Sequence, residues 1–167
     1  SKMPWKCAAH GHKWEAVVDK RTGRGQNCPV CANKKVLAGF NDLQSAYPEI
    51  ARESDFDPTA ITAYSNKKMP WKCVAHGHEW EATANSRTSG AGKGCPVCSN
   101  QKVLVGFNDL QTTPPDLARE ADFDPTTVTF GSGKKMPWKC AAHGHKWSAA
   151  VGERTGRDKT GCPVCAE

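Results

Sequence analysis

A threefold internal repeat restricts the fold of this chain more than any other feature. The stretch "KMPWKCAAHGHKWEA" starts at Lys2 and returns almost letter for letter at Lys68 and Lys135. The cysteines follow the same period. Cys7, Cys73 and Cys140 align, as do Cys28, Cys95 and Cys162, and Cys31, Cys98 and Cys165, each 66 or 67 residues apart. A fixed period argues for a tandem array rather than one continuous core. Three cysteine-bearing blocks (1–33, 65–100 and 131–167) alternate with two spacers (34–64 and 101–130). The chain opens and closes at the edge of a block, so the array is expected to be part of a longer protein.

Each block is too short to fold on apolar burial alone, since chains below about 40 residues usually need a staple. Nine cysteines cannot pair off as disulfides, but three per block plus one histidine make three complete sets of four ligands. Cys28-Pro-Val-Cys31, Cys95-Pro-Val-Cys98 and Cys162-Pro-Val-Cys165 are C-x-x-C pairs, whose spacing lets two thiolates converge on one ion. Soft thiolates with an imidazole select zinc in tetrahedral coordination. Three zinc ions are therefore expected. Reduced cysteine used for metal, with no apolar run near the 18 or so residues that cross a bilayer, points to the cytoplasm and away from a membrane.

The fourth ligand has two candidates per block. Spacing from Cys7 favours His10, with His76 and His143 its counterparts. The frame Gly11-His12-Lys13-Trp14 favours His12, His78 and His145, because the glycine permits the turn a ligand there requires. The histidine left over would support the metal ligands from behind, contact a phosphate, or face solvent.

The pattern W-x-C…G-H-x-W-x-A…R-T…G-C-P-x-C, with G-F-N-D-L…P-x-[IL]-A-R-E…D-P…V-T…K-K-x-P-W in the spacers, resembles the tandem treble-clef zinc-finger repeats of a bacterial family of poorly defined function. The resemblance covers essentially the whole chain. It implies a small metal-stabilised α+β fold, an array of three treble-clef fingers joined by short helical spacers. It also implies a knuckle role for the histidine before x-W, hence His12, His78 and His145. Such repeats often stand beside restriction-endonuclease-like domains, which implies a role near DNA.

In such a finger the knuckle is expected at Cys7–His12, followed by a hairpin and a helix opening at C-P-x-C. Alternation from Lys13 to Asp19 reads as a half-buried strand, and Arg21-Thr22-Gly23-Arg24-Gly25 as the hairpin turn. Trp5 and Trp14 are expected to shield the metal. In the spacers, Asn41 or Asp42 would cap a short helix and Pro48 or Pro115 would open another. Leu43, Ile50 and Ala51 would pack against the neighbouring finger. The D-F-D-P carboxylates, Asp55/Asp57 and Asp122/Asp124, suit helix-end caps better than a catalytic metal.

The net charge of +6 is unevenly spread: +4, +3 and +4 on the blocks, against −2 and −3 on the spacers. Positive charge concentrated on the cysteine-bearing units suits a polyanion. Trp, Ala and Arg recur at Trp14/Ala16/Arg21 and at the matching positions of the other blocks. Their neighbours vary, as for scaffold residues beneath a changing outer surface. Arg21, Arg87 and Arg154 are the expected nucleic-acid contacts, because a guanidinium can fork onto phosphate or guanine. Lys2, Lys67, Lys68, Lys134 and Lys135 would anchor phosphates. The expectation is a zinc-dependent, non-enzymatic module that binds duplex DNA, with RNA open, as the targeting part of a larger DNA-processing or defence protein. No small-molecule substrate is expected. The alternatives are a protein-interaction scaffold and, third, a nuclease.

Overall fold

The computed structural model describes residues 1–23, 27–90, 92–157 and 159–166. Contacts divide the chain into two compact units, Ser1–Lys93 and Gly94–Glu167. In the first unit, strands β1 (Lys2–Lys6) and β2 (Lys13–Val17) form an antiparallel hairpin, and helix α1 (Val18–Thr22) follows at once. Spacer helices α2 (Leu43–Ala46) and α3 (Pro48–Ala51) lead to a second hairpin, β3 (Lys68–Lys72) with β4 (Glu79–Thr83), and helix α4 (Ala84–Thr88). Asp42 caps α2 by accepting from the Ser45 N–H at 2.9 Å, and Pro48 opens α3, both as the sequence leads one to expect.

The core of this unit joins spacer to hairpin. Leu43, Ala51 and Ala63 of the spacer are buried with Trp71 and Ala84 of the second finger, and Ile50, Phe56 and Ile61 pack around them. The spacer also lengthens the sheet. The Lys72 N–H donates to the Glu53 carbonyl at 2.7 Å, and the Asp55 N–H donates to Pro70 at 3.1 Å. Proline is tolerated in β3 because its missing N–H falls on this outer edge.

The second unit repeats the plan. Helix α5 (Pro115–Ala118) and a 3-10 turn (Pro125–Thr127) precede the hairpin of β5 (Lys135–Lys139) with β6 (Lys146–Ala150), which ends in helix α6 (Val151–Thr155). Leu110 and Val128 are buried with Trp138 and Val151, with Leu117, Phe123 and Met136 around them. The Lys139 N–H donates to the Glu120 carbonyl at 2.8 Å and the Asp122 N–H to Pro137 at 3.1 Å. Asp57 and Asp124 accept from the N–H groups of Thr59 and Thr126, each at 2.9 Å, so the D-F-D-P motifs hold turns.

Three elements differ from what the sequence suggests. The knuckle is itself the turn of the hairpin, so the partner of the Trp14 strand precedes the cysteine. The Arg-Thr segment is a one-turn helix rather than a hairpin turn; Arg24 and Gly25, assigned to that turn, lie outside the described residues. Local bonds explain the helix. Thr22, Thr88 and Thr155 hydroxyls donate back to the carbonyls four residues earlier, and Thr83 accepts the Ser86 N–H at 3.1 Å. C-P-x-C makes a single turn, not a helix. The Ala32 N–H donates to Cys28 at 2.9 Å, then Asn33 at φ 54° turns the chain away, a conformation asparagine tolerates.

Candidate metal centres

Hairpin register brings the first two ligands together. Lys6 opposes Lys13 at the end of the ladder, so Cys7 and His12 flank the turn. Within it the Cys7 N–H donates to the His12 carbonyl and the Gly11 N–H to the Cys7 carbonyl, both at 2.8 Å. Gly11 has φ +71°, the left-handed conformation that makes glycine the residue of choice there. The C-P-x-C turn brings Cys28 and Cys31 to meet them.

The donor atoms of Cys7, His12, Cys28 and Cys31 lie within 4.8 Å of one another, as do those of Cys140, His145, Cys162 and Cys165, and those of Cys73, His78, Cys95 and Cys98. The individual separations are informative. Cys28 Sγ and Cys31 Sγ lie 3.5 and 3.6 Å from His12 Nδ1, and Cys7 Sγ lies 3.6 Å from Cys31 Sγ. In the third finger the matching distances are 3.6, 3.7 and 3.7 Å. Tetrahedral zinc, with bonds of about 2.3 Å to sulfur and about 2.0 Å to nitrogen, requires edges of about 3.8 Å between sulfurs and about 3.5 Å from sulfur to nitrogen. The four donors already stand near the corners of that tetrahedron. All nine cysteines are free of disulfides.

His12, His78 and His145 are thus the histidines that group with the three cysteines and could hold the metal. The alternative histidines sit one layer out: His10 Nδ1 is 3.4 Å from Cys31 Sγ, and His143 Nδ1 is 3.3 Å from Cys165 Sγ. A metal-bound thiolate can only accept, so these imidazoles donate N–H···S bonds, as outer-shell partners of metal ligands commonly do. His10 and His12 stack at 5.5 Å, and the Phe40 ring stands edge-on to both, at 5.0 and 4.5 Å. The spacer thereby closes over the metal centre of the first finger. It is pinned there by buried Asn41, which donates to the Val30 carbonyl at 2.8 Å.

The thiols differ in acidity. The backbone N–H of His10, chief among several donors, lowers Cys7 to about 7, and the backbone N–H of His143 does the same for Cys140. Cys31 is pushed up to about 11, chiefly by desolvation and then by its neighbouring thiols; Cys165 reaches about 11 chiefly through its hydrogen bond with Cys162. Without a cation the cluster holds back its later protons. A dication offsets the repulsion among three thiolates.

The arginines expected to reach outward are turned in. Arg87 is 4% exposed and Arg154 6%. Arg87 stacks between Trp71 and Trp80, 4.8 and 5.2 Å from the ring centres, and pairs with Glu53 while donating to the Lys93 carbonyl at 2.9 Å. Arg154 repeats this with Trp138, Trp147 and Glu120. Arg21 lies 5.1 and 5.6 Å from Trp5 and Trp14. Trp14 lines the hollow beside Cys28 and Cys31, but the tryptophan pair chiefly grips a guanidinium. Sequence reasoning missed Glu53 and Glu120, although each stands in a repeated Ala-Arg-Glu, 34 residues before its arginine. The lysines proposed as phosphate anchors, Lys2, Lys67, Lys68, Lys134 and Lys135, are all exposed.

No helix of the described residues is long and apolar enough to cross a membrane. No curated protein matches the chain. The family model described as "Probable Treble clef zinc finger domain" matches residues 1–34, 49–101 and 116–167. Its second and third matches begin inside the spacers, at α3 and α5, so the repeating unit includes the spacer segment that packs on the following hairpin. With three Cys3His clusters, each fitting one zinc ion, and three matches spanning most of its length, the chain belongs to this treble-clef zinc finger family as a tandem array of three.

Proposed function

We propose that the array is a zinc-held nucleic-acid-binding module, duplex DNA its target, acting as the targeting part of a larger DNA-processing or defence protein. The lysine face of the hairpins supports this reading. Strand alternation puts the tryptophans on one face and Lys135, Lys139, Lys146 and Ser148 on the other. The strands of the third finger add no acidic residue to that face, where Lys146 pairs with Asp122 of the spacer at 3.0 Å. In the first finger the face carries Lys2, Lys6 and Lys13 against Glu15 alone. Lys6 opposes Lys13, and Lys139 opposes Lys146; like charges directly across a ladder are destabilising unless an anion lies over them, a need that Asp122 meets for Lys146 alone. The second finger differs, because Lys72 meets Glu79 at 3.4 Å and Glu81 stands beside them. Phosphate contact is therefore assigned first to fingers one and three; Lys134 adjoins Lys135 in the third, and Lys67 and Lys68 are the second finger's share.

A closed set of three thiolates and one imidazole leaves zinc no open position for a water nucleophile, which supports a binding role over a hydrolytic one. Zinc thiolates suit a reducing compartment such as the cytoplasm. The test is fluorescence anisotropy on a labelled duplex at several salt concentrations, with single-stranded DNA and RNA in parallel. Affinity should fall with a log–log slope near −0.9 per neutralised phosphate. A Lys135/Lys139/Lys146→Gln variant should flatten that slope by up to about 2.7. Binding indifferent to salt, or a variant that matches the parent, refutes the assignment.

A further inference from the structure

The three cysteines of a finger are not equally protected. Cys31, Cys98 and Cys165, the last of each set, are exposed. Cys28, Cys95 and Cys162 are buried, as are Cys73 and Cys140, and Cys7 is half-buried. Their hydrogen bonding differs as well. Cys7 takes the backbone N–H groups of His10 and Ala9, and Cys140 those of His143 and Ala142. Among the described residues, the donor that reaches Cys31 or Cys165 from outside the four-donor group is a ring instead. His10 Nδ1 lies 3.4 Å from Cys31 Sγ and His143 Nδ1 lies 3.3 Å from Cys165 Sγ. Each ring is held by stacking on the histidine of the donor group: His10 on His12 at 5.5 Å and His143 on His145 at 5.6 Å. His76 stacks on His78 at 5.4 Å in the same way. The exposed sulfur of a finger is thus the one that an extra histidine serves.

We propose that His10, His76 and His143 keep the exposed zinc thiolate of their finger from reacting with soft electrophiles. Three thiolates and one imidazole around a dication carry a surplus negative charge, and the thiolate is the nucleophile of cysteine chemistry. With a maleimide, a lone pair of Cys31 Sγ forms the new bond to carbon. The alkene electrons move to the adjacent carbon, which takes a proton from water. The product is a neutral thioether, which has lost the charge that makes a thiolate a metal ligand. An N–H···S bond stabilises the charge that this step draws off the sulfur, so it raises the barrier. It also fixes a tautomer. A metal-bound thiolate can only accept, so Nδ1 of the outer histidine must carry its proton. His12 and His145 turn Nδ1 toward the sulfurs of the donor group, and a nitrogen that binds a metal carries none. The two histidines of a finger are therefore opposite at Nδ1.

The inference is independent of the nucleic-acid reading and is tested on the zinc-loaded chain alone. Proton–nitrogen NMR at neutral pH should find Nδ1 protonated in His10 and His143 and unprotonated in His12 and His145. Labelling by N-ethylmaleimide is followed cysteine by cysteine with mass spectrometry. In His10→Phe, which keeps a ring against His12 and removes the donor, Cys31 should label about tenfold faster, the effect of about one charge-assisted hydrogen bond. Cys98 and Cys165 serve as internal controls whose rates should not change. Excess zinc should leave the Cys31 rate raised, because the effect is not loss of metal. If His10→Phe holds fewer than three zinc ions, His143→Phe is read at Cys165 in the same way. An unprotonated Nδ1 in His10 and His143 overturns the proposal. So does a labelling rate that removal of the donor leaves unchanged, or one that excess zinc returns to that of the parent.

Discussion

Arg87 carries a full charge into a place where an unpaired cation would cost several kcal/mol. Three groups make the burial tolerable: two indole faces and the carboxylate of Glu53. The pair ties the spacer to the end of the following finger, so breaking it strands a buried charge. Arg87→Ala or Glu53→Ala should destabilise the second finger by about 3 kcal/mol or more, read from chemical denaturation at saturating zinc. Exposed Lys135→Gln should cost less than about 0.5 kcal/mol. If Arg87→Ala instead proved as stable as the parent and lost only DNA affinity, the arginine would be an outward contact after all. From sequence, arginine beside threonine in a Gly-rich stretch reads as a surface turn. The two tryptophans and the glutamate that reverse this lie up to 34 residues away.

At the scale of elements, the spacers are the decisive pieces. A two-stranded hairpin is marginal in water, and the second and third hairpins gain a third backbone partner and most of their core from residues before them. Leu43 is fully buried at that junction, as is Leu110 in the second unit. Leu43→Ala should cost 2–5 kcal/mol. Its signature is local: hydrogen-exchange protection should fall in β3 and β4 while β1 and β2 keep theirs. Equal loss in both hairpins would contradict the division of labour. The helices in the spacers were legible because Asp42, Pro48 and Pro115 are strong local signals. The strand pairing at Glu53 and Asp55 was not, since two backbone hydrogen bonds leave no mark on residue type.

At the scale of the whole molecule, zinc holds the array together. Binding to unfolded or loosely folded thiols is folding free energy for modules this small. A strong chelator should therefore abolish the near-ultraviolet signal of the tryptophans, and one zinc per Cys3His set should restore it, three per chain by elemental analysis. Retention of that signal in chelator would refute the role. Binding must also displace protons. Cys31 and Cys165, raised to about 11, are protonated at neutral pH without a cation, whereas Cys7 and Cys140 at about 7 are partly ionised. Lower pH thus restores the competing protons first to the high-pKa thiols and then, below 7, to the others. Zinc affinity should weaken steadily on acidification, with release of more than one proton per site at pH 7. Calorimetry in buffers of different ionisation enthalpy measures that count.

What the sequence by itself determined is the covalent arithmetic: three periods, three sets of three cysteines and a histidine, and the alternation of basic fingers with acidic spacers. These are local or periodic properties, and metal ligation depends on residue types that nothing else in a small finger requires. Only the tertiary structure placed His12 rather than His10 in the four-donor group, because that grouping depends on how distant segments converge around one point. It also decided that Arg21, Arg87 and Arg154 face inward, and that each spacer completes the finger after it. Those outcomes arise from contacts between distant segments, where burial and pairing override what the neighbouring residues suggest.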